Sequence, residues 1–170
     1  YTNLLLSNQK HSKMPGDDKD MVMSRREFLE KGYYQKISQG VNDIVKETCN
    51  SKDLDILDIG CGEGYYTKRL KDFLECEDIK SHIIGIDISK EAVIAAARSD
   101  KRIDWIVASA TNIPVSESSL DYIICMFAKI IPEEKMRTLK SGGYLIVVST
   151  GEKHLIELKE AVYEKVRTEL

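Results

Sequence analysis

Apolar positions change rhythm along this chain. From residue 54 onward, short continuous apolar runs alternate with stretches in which apolar residues return every three or four positions. The runs predict strands over 54–59, 82–87, 104–108, 121–126 and 143–149, and the spaced stretches predict helices over 65–74, 90–98, 132–139 and 153–168. Regular alternation of the two is the signature of an α/β sheet. Ile83-Ile84-Gly85-Ile86 and Leu145-Ile146-Val147-Val148 lack the in-out alternation of half-exposed strands, so both are expected to be buried on two faces. Right-handed crossovers then give a doubly wound, mostly parallel sheet whose five strands run in the order 3-2-1-4-5, a Rossmann-like core.

The first third reads differently. Residues 1–19 are polar apart from Leu4-Leu5-Leu6 and contain the breaker Pro15-Gly16, which predicts an extended or loose arm. Asp17, with Asp20 three positions on, is expected to cap a helix through Met21, Met23, Phe28 and Leu29 that stops at Gly32. Ile37, Val41, Ile44 and Val45 place an amphipathic helix over 35–49, before the turn Asn50-Ser51-Lys52-Asp53. The chain thus divides into an N-terminal arm with helices, 1–50, and an α/β domain, 51–170. At the far end Leu155, Leu158, Ala161, Val162 and Val166 recur at helical spacing, which predicts a packed surface helix.

Chemistry concentrates where the first of the five strands ends. Ile56, Leu57 and Ile59 run into Gly60-x-Gly62-x-Gly64, and a helix follows. Glycines there let backbone approach a ligand closely. Hydride-transfer folds use Gly-x-Gly-x-x-Gly, whose third glycine seats the helix under a pyrophosphate; Tyr65 stands at that position here. A second acid, Asp87, closes the run His82-Ile83-Ile84-Gly85-Ile86 and is followed by Ile88. Ligands in doubly wound sheets sit beyond the carboxyl ends of strands, so the loop and Asp87 converge on one crevice, where a carboxylate can accept both hydroxyls of a ribose. Together with Asp58 before the first glycine, the pattern resembles the first motif of the class I S-adenosylmethionine-dependent methyltransferases.

Composition narrows the picture further. The 170 residues carry a net charge of -3, so no global basic field advertises nucleic acid and any polyanion site is local. No apolar run approaches a membrane span and no cleavable signal opens the sequence, from which a cytoplasmic setting and no membrane partner are expected. Cysteines 49, 61, 76 and 125 form no C-x-x-C pair, so no metal site is expected in this chain, and Cys61 reads as a packed thiol rather than a nucleophile. His11 and His82 suggest no chemistry. Trp105 fits a sheet core. Tyr65 and Tyr66 are expected to pack beneath the glycine loop or brace it, with a pocket role for one of them left open.

Flanking residues make the resemblance specific. Tyr1-Thr2-Asn3-Leu4-Leu5, Pro15-Gly16-Asp17, Arg25-Arg26-x-Phe28-Leu29, Gly32-x-Tyr34, the loop from Leu57 to Thr67, Val107-Ala108-Ser109 and His154-Leu155-x-Glu157-Leu158-Lys159 occur in the order and spacing of the ribosomal RNA guanine-N1 methyltransferases. The chain resembles that family over nearly its whole length. The resemblance implies methyl transfer from S-adenosylmethionine to guanine N1 of large-subunit ribosomal RNA, with ribosomal RNA as partner and a homodimer left open. It implies cofactor contacts from Tyr34, Gly60, Gly62, Glu63 and His154, with Asp87 and Ile88 at the ribose and Ser109 and Ala110 flanking the adenine. It also implies a zinc knuckle just before Tyr1 and a further strand pair after the final helix, so the natural protein is expected to be longer. Three departures stand out: Tyr33 where His is frequent, Lys129 where Pro is usual, and Ser141 where Pro is common.

The catalytic residue stays unassigned. Between Cys125 and Lys129 there is no carboxylate, and Lys129 suits guanine O6 better than the N1 proton. Lys10, His11, Lys13, Lys19, Arg25 and Arg26 could follow a phosphate backbone or form an ordinary mixed-charge surface. Two alternatives remain open: a small-molecule methyltransferase of the same fold, and a catalytically decayed cofactor-binding or RNA-binding module.

Overall fold

The computed structural model describes residues 1–5, 15–129, 131–151 and 154–162. In chain order its elements are β1 (Thr2–Asn3), α1 (Lys19–Glu30), α2 (Gln35–Thr48), β2 (Asp53–Ile59), α3 (Tyr65–Cys76), β3 (Lys80–Asp87), α4 (Lys90–Ser99), β4 (Asp104–Val107), β5 (Leu120–Met126), α5 (Pro132–Thr138), β6 (Leu139–Val148) and α6 (Ile156–Val162). The sheet runs β1-β4-β3-β2-β5-β6 and every pairing in it is parallel. Its last five strands keep the expected 3-2-1-4-5 order. The addition is β1, a short edge strand contributed by the arm. Thr2 pairs with Ile106, the Leu4 amide donates to the Val107 carbonyl at 2.9 Å, and Leu5 inserts into the core.

β2 shows why the centre is stable. Its alternate residues face opposite layers, Leu54 and Ile56 toward the side that holds α2 and α3, Leu57 and Ile59 toward Ile86, Ile113 and Ile123. Each such side chain removed from water contributes about 1.5–3 kcal/mol. Trp105 belongs to this core, with its indole N–H donated to the Asp100 carbonyl at 2.9 Å.

Four expectations are corrected. Asp18, not Asp17, caps α1: its carboxylate accepts from the Met21 amide at 2.9 Å, while Asp17 pairs with Arg25. In α2 the buried face is Ser38, Val41, Asn42 and Val45, leaving Ile37 and Ile44 outward. The small residues let α2 lie close to α3, where Ser38 accepts from Arg69 Nε at 2.9 Å. β6 begins at Leu139 rather than 143 and is buried on one face only, with Leu145 and Val147 41% and 38% exposed. It is the edge strand opposite β1, and on its other face Leu139 packs against the core while Leu145 and Val147 stay open. Leu155, Leu158 and Val162 near and along α6 are likewise exposed rather than packed. Lys10, His11, Lys13 and Val166 lie outside the described residues.

Candidate functional site

β2 ends at Ile59, and the chain turns through Gly60, Cys61, Gly62 and Glu63 before α3 starts after Gly64. The amides of Gly60 and Cys61 both donate to the Ile86 carbonyl, at 2.8 and 3.0 Å, so the loop is tied to the end of β3. There Asp87 completes the junction. Its Oδ2 accepts from the Gly62 amide at 3.0 Å and its Oδ1 from the Ser89 amide at 2.8 Å. Each oxygen retains a spare lone pair, and Asp87 lines the cleft. Beyond β4 the chain continues along the same rim, with the Ala108 amide donated to the Asp87 carbonyl at 3.1 Å and the Ser109 hydroxyl 2.7 Å from that of Thr111.

These ends enclose a cavity of about 980 Å³. Tyr34, Gly60, Gly62, Glu63, Asp87, Ile88, Ser109, Ala110 and His154 all line it, although they come from separate segments of the chain. His154 arrives from the turn before α6, where its amide donates to the Gly151 carbonyl at 3.0 Å. Sequence reading did not place Asp17 and Arg25 here, and both line the cavity too. The arm is anchored by Ser89, whose hydroxyl donates to the Asp17 carbonyl at 2.6 Å while accepting from the Ala92 amide at the start of α4. Pro15-Gly16-Asp17 was the available signal, since that breaker fixes where the arm bends. Tyr66 lines the cavity and also packs against the core, and Tyr65 stands edge-on to it with ring centroids 5.0 Å apart. His82 sits away from the cleft, paired on the surface with Asp104 at 2.9 Å.

The electrostatics of the cleft are those of crowded acids. Burial pushes Asp58 up to about 6, against the donation it receives from the Thr67 hydroxyl, with Asp87 adding a smaller upward push. Asp87 is raised by desolvation, which the Ser89 and Gly62 amides partly offset. Glu63 is raised by burial, opposed by its own amide and then by Arg25 and Arg26. Cys61 is driven well above the ordinary thiol range by burial and by Asp58, so it stays a neutral packing group. One buried oxygen, Glu63 Oε1, has no partner among the described residues. Such an orphan costs about 1–3 kcal/mol unless a ligand donates to it.

The methyltransferase domain family matches residues 56–143, from β2 through the first part of β6. The chain belongs to this methyltransferase domain family. It is 31% identical over 164 residues to a 23S rRNA (guanine(748)-N(1))-methyltransferase of Streptomyces fradiae, covering 95% of this chain and 56% of that protein. A putative 23S rRNA (guanine-N(1)-)-methyltransferase of Bacillus subtilis (strain 168) is 28% identical over 133 residues, covering 78% and 47%. The chain therefore spans about half the length of the curated relatives it matches. A putative S-adenosyl-L-methionine-dependent methyltransferase from Methanococcus maripaludis superposes with a TM-score of 0.66 at 22% identity, over 89% of this chain and 74% of that one, which establishes the class I fold.

S-adenosylmethionine, the cofactor of that class, fits the residues present. It carries a sulfonium and an ammonium, and both suit a cleft whose carboxylates outnumber its cations. The unpartnered Glu63 Oε1 meets the requirement for a donor-bearing ligand, and Asp87 presents two oxygens with spare lone pairs.

Proposed function

We propose that this chain is the cofactor-binding and catalytic part of a methyltransferase that acts on guanine N1 of large-subunit ribosomal RNA. The observation that carries the reading is the union of the glycine loop with Asp87 in one cleft, read alongside relatives named for that reaction. Residues 51–170 supply most of the cofactor site, and the arm with its helices adds Asp17, Arg25 and Tyr34 to its lining.

In this reading Asp87 and Ile88 engage the ribose, Ser109 and Ala110 flank the adenine, and Tyr34, Gly60, Gly62, Glu63 and His154 surround the amino-acid end. Bound S-adenosylmethionine supplies an electrophilic methyl carbon. The protein's share is alignment and exclusion of water. The rigid tie between loop and β3 fixes the cofactor's orientation, and the exit of β5 meets the acceptor. Guanine N1 carries a proton at neutral pH; that proton passes to water as the N1–methyl bond forms and the methyl–sulfur bond breaks, and charge stabilisation at O6 eases its loss. Lys129, an exposed cation on the cavity wall after β5, is the group for that task. A target base in a loop needs no extrusion from a duplex, which favours an accessible hairpin.

The test is direct. Full-length protein is incubated with methyl-labelled cofactor and stripped ribosomal RNA, and the labelled nucleoside is identified after digestion. N1-methylguanosine is expected. Label confined to small metabolites rejects the RNA substrate, and cofactor binding without turnover favours the decayed module.

A further inference from the structure

Phe127 is a cavity residue that cofactor binding leaves without a task. It follows β5 directly, and its backbone adopts φ 54°, a left-handed conformation that bulky side chains rarely take. Two features hold it there. Its amide donates to the Val148 carbonyl at 2.8 Å, and the next residue, Ala128, presses onto the glycine loop so closely that a Cβ on Gly60 would lie 2.6 Å from its own. Strain of this kind persists only where the surroundings over-determine it, and it gathers at ligand clamps. Yet the ring is not buried: it lines the cavity while remaining 44% exposed.

The ring has company. Tyr34 stands edge-on to it with centroids 5.9 Å apart, and Phe28 stands edge-on to Tyr34 at 5.6 Å. Phe28 is also 45% exposed. Three linked aromatic rings therefore form one wall of the mouth, with Arg25 and Lys129 as cations on the same lining. The cavity lies at the upper end of the roughly 300–1,000 Å³ that ligand pockets occupy, which leaves room for a second planar group beside a cofactor.

We infer that Phe127, braced by Tyr34 and Phe28, is the stacking platform for the purine base of the RNA substrate, an inference that rests on the RNA-methyltransferase reading above. Unpaired RNA bases are recognised by stacking on aromatic rings and guanidinium planes, and an extruded base has to be gripped between such surfaces. A planar base laid on Phe127 would have Lys129, two residues on, within the same loop for its polar edge.

Substitution separates this role from cofactor binding. Phe127→Leu keeps an apolar side chain and removes the ring, and Phe127→Trp keeps a ring. In the full-length protein, KM for stripped ribosomal RNA, kcat and the Kd for S-adenosylhomocysteine are measured for both variants, with thermal melting to establish that each is folded. Phe127→Leu is expected to raise the RNA KM about tenfold or more, the scale of one lost base stack. Its Kd for S-adenosylhomocysteine stays within about twofold, and Phe127→Trp restores the RNA KM. An unchanged RNA KM in Phe127→Leu overturns the platform, as does an equal loss of RNA and S-adenosylhomocysteine binding. A Phe127→Leu variant that does not fold shifts the decision to Phe127→Trp and Phe127→Tyr, whose failure to sustain the wild-type RNA KM would equally overturn it. If wild-type protein binds S-adenosylhomocysteine but methylates no RNA, the RNA reading itself has failed.

Discussion

The Gly62 amide points at Oδ2 of Asp87, 3.0 Å away, and so joins the glycine loop after β2 to the end of β3, 25 residues on in sequence. The bond orients the carboxylate, and in the proposed reading its remaining lone pairs accept from a ribose. Asp87→Asn places an amide nitrogen where one of two backbone donors now points. We expect S-adenosylhomocysteine affinity to fall about tenfold to a hundredfold, the range for a hydrogen bond to a charged group. Calorimetry at pH 7.5 measures it, and an unchanged Kd would remove Asp87 from the site.

Asp58 gives a pH signature. Its folded-state value, about 6, lies above the ordinary 3.8, so between those limits the folded protein binds more protons than the unfolded chain. Stability from this residue is therefore greatest at low pH, declines as pH rises from about 4 to about 6, and is level above. The full swing is on the order of 3 kcal/mol. Asp58→Asn keeps an acceptor for Thr67 and should flatten that part of the profile. Urea unfolding of both proteins between pH 4.5 and 7 tests it, and parallel profiles would contradict the assignment.

Two left-handed glycines should respond differently to the same change. A Cβ on Gly64, at φ 87°, would sit 2.6 Å from Trp105 Cη2 and 3.2 Å from Ala96 Cβ, whereas on Gly142, at φ 80°, it would meet nothing within 4 Å among the described residues. Gly142→Ala is expected to cost only the backbone term, about 1 kcal/mol. Gly64→Ala adds overpacking of the core and should reach about 3 kcal/mol or more. Equal midpoints in denaturant would show that Trp105 yields freely.

Ser89 serves both α4 and the arm. Ser89→Ala removes the helix cap, costing about 1 kcal/mol, and frees the Asp17 carbonyl from its 2.6 Å anchor. Limited proteolysis should then cut near residues 15–17 several times faster, and S-adenosylhomocysteine should suppress the cleavage. Wild-type cleavage rates in the variant would mean that Asp17–Arg25 pairing holds the arm unaided.

Much of the centre could be read from short-range pattern. β2, β3 and β5 announce themselves through short apolar runs such as Ile56-Leu57, Ile83-Ile84 and Ile123-Ile124, which strands buried on two faces require, and their order follows from crossover handedness. The edges were less legible. Leu145-Ile146-Val147-Val148 is as apolar as an interior strand, yet β6 is covered on one face, because exposure depends on which neighbour arrives and not on the run itself. The α2 face was misjudged for a related reason: Ser38 and Asn42 are buried by the close approach of α3, and no hydropathy pattern favours a serine over Ile37.

Alone, the sequence determined the glycine spacing, the two acids and the alternation of strand with helix, since these are written in residues a few positions apart and governed by local sterics and periodicity. Tertiary structure decided the rest. It brought Asp17 and Arg25 to the cleft, left Glu63 Oε1 without a donor among the described residues and set Phe127 against Tyr34 across 93 residues of chain. Those relationships arise where separate strand ends meet, and the energy that fixes them comes from packing among distant segments, which short-range pattern cannot encode.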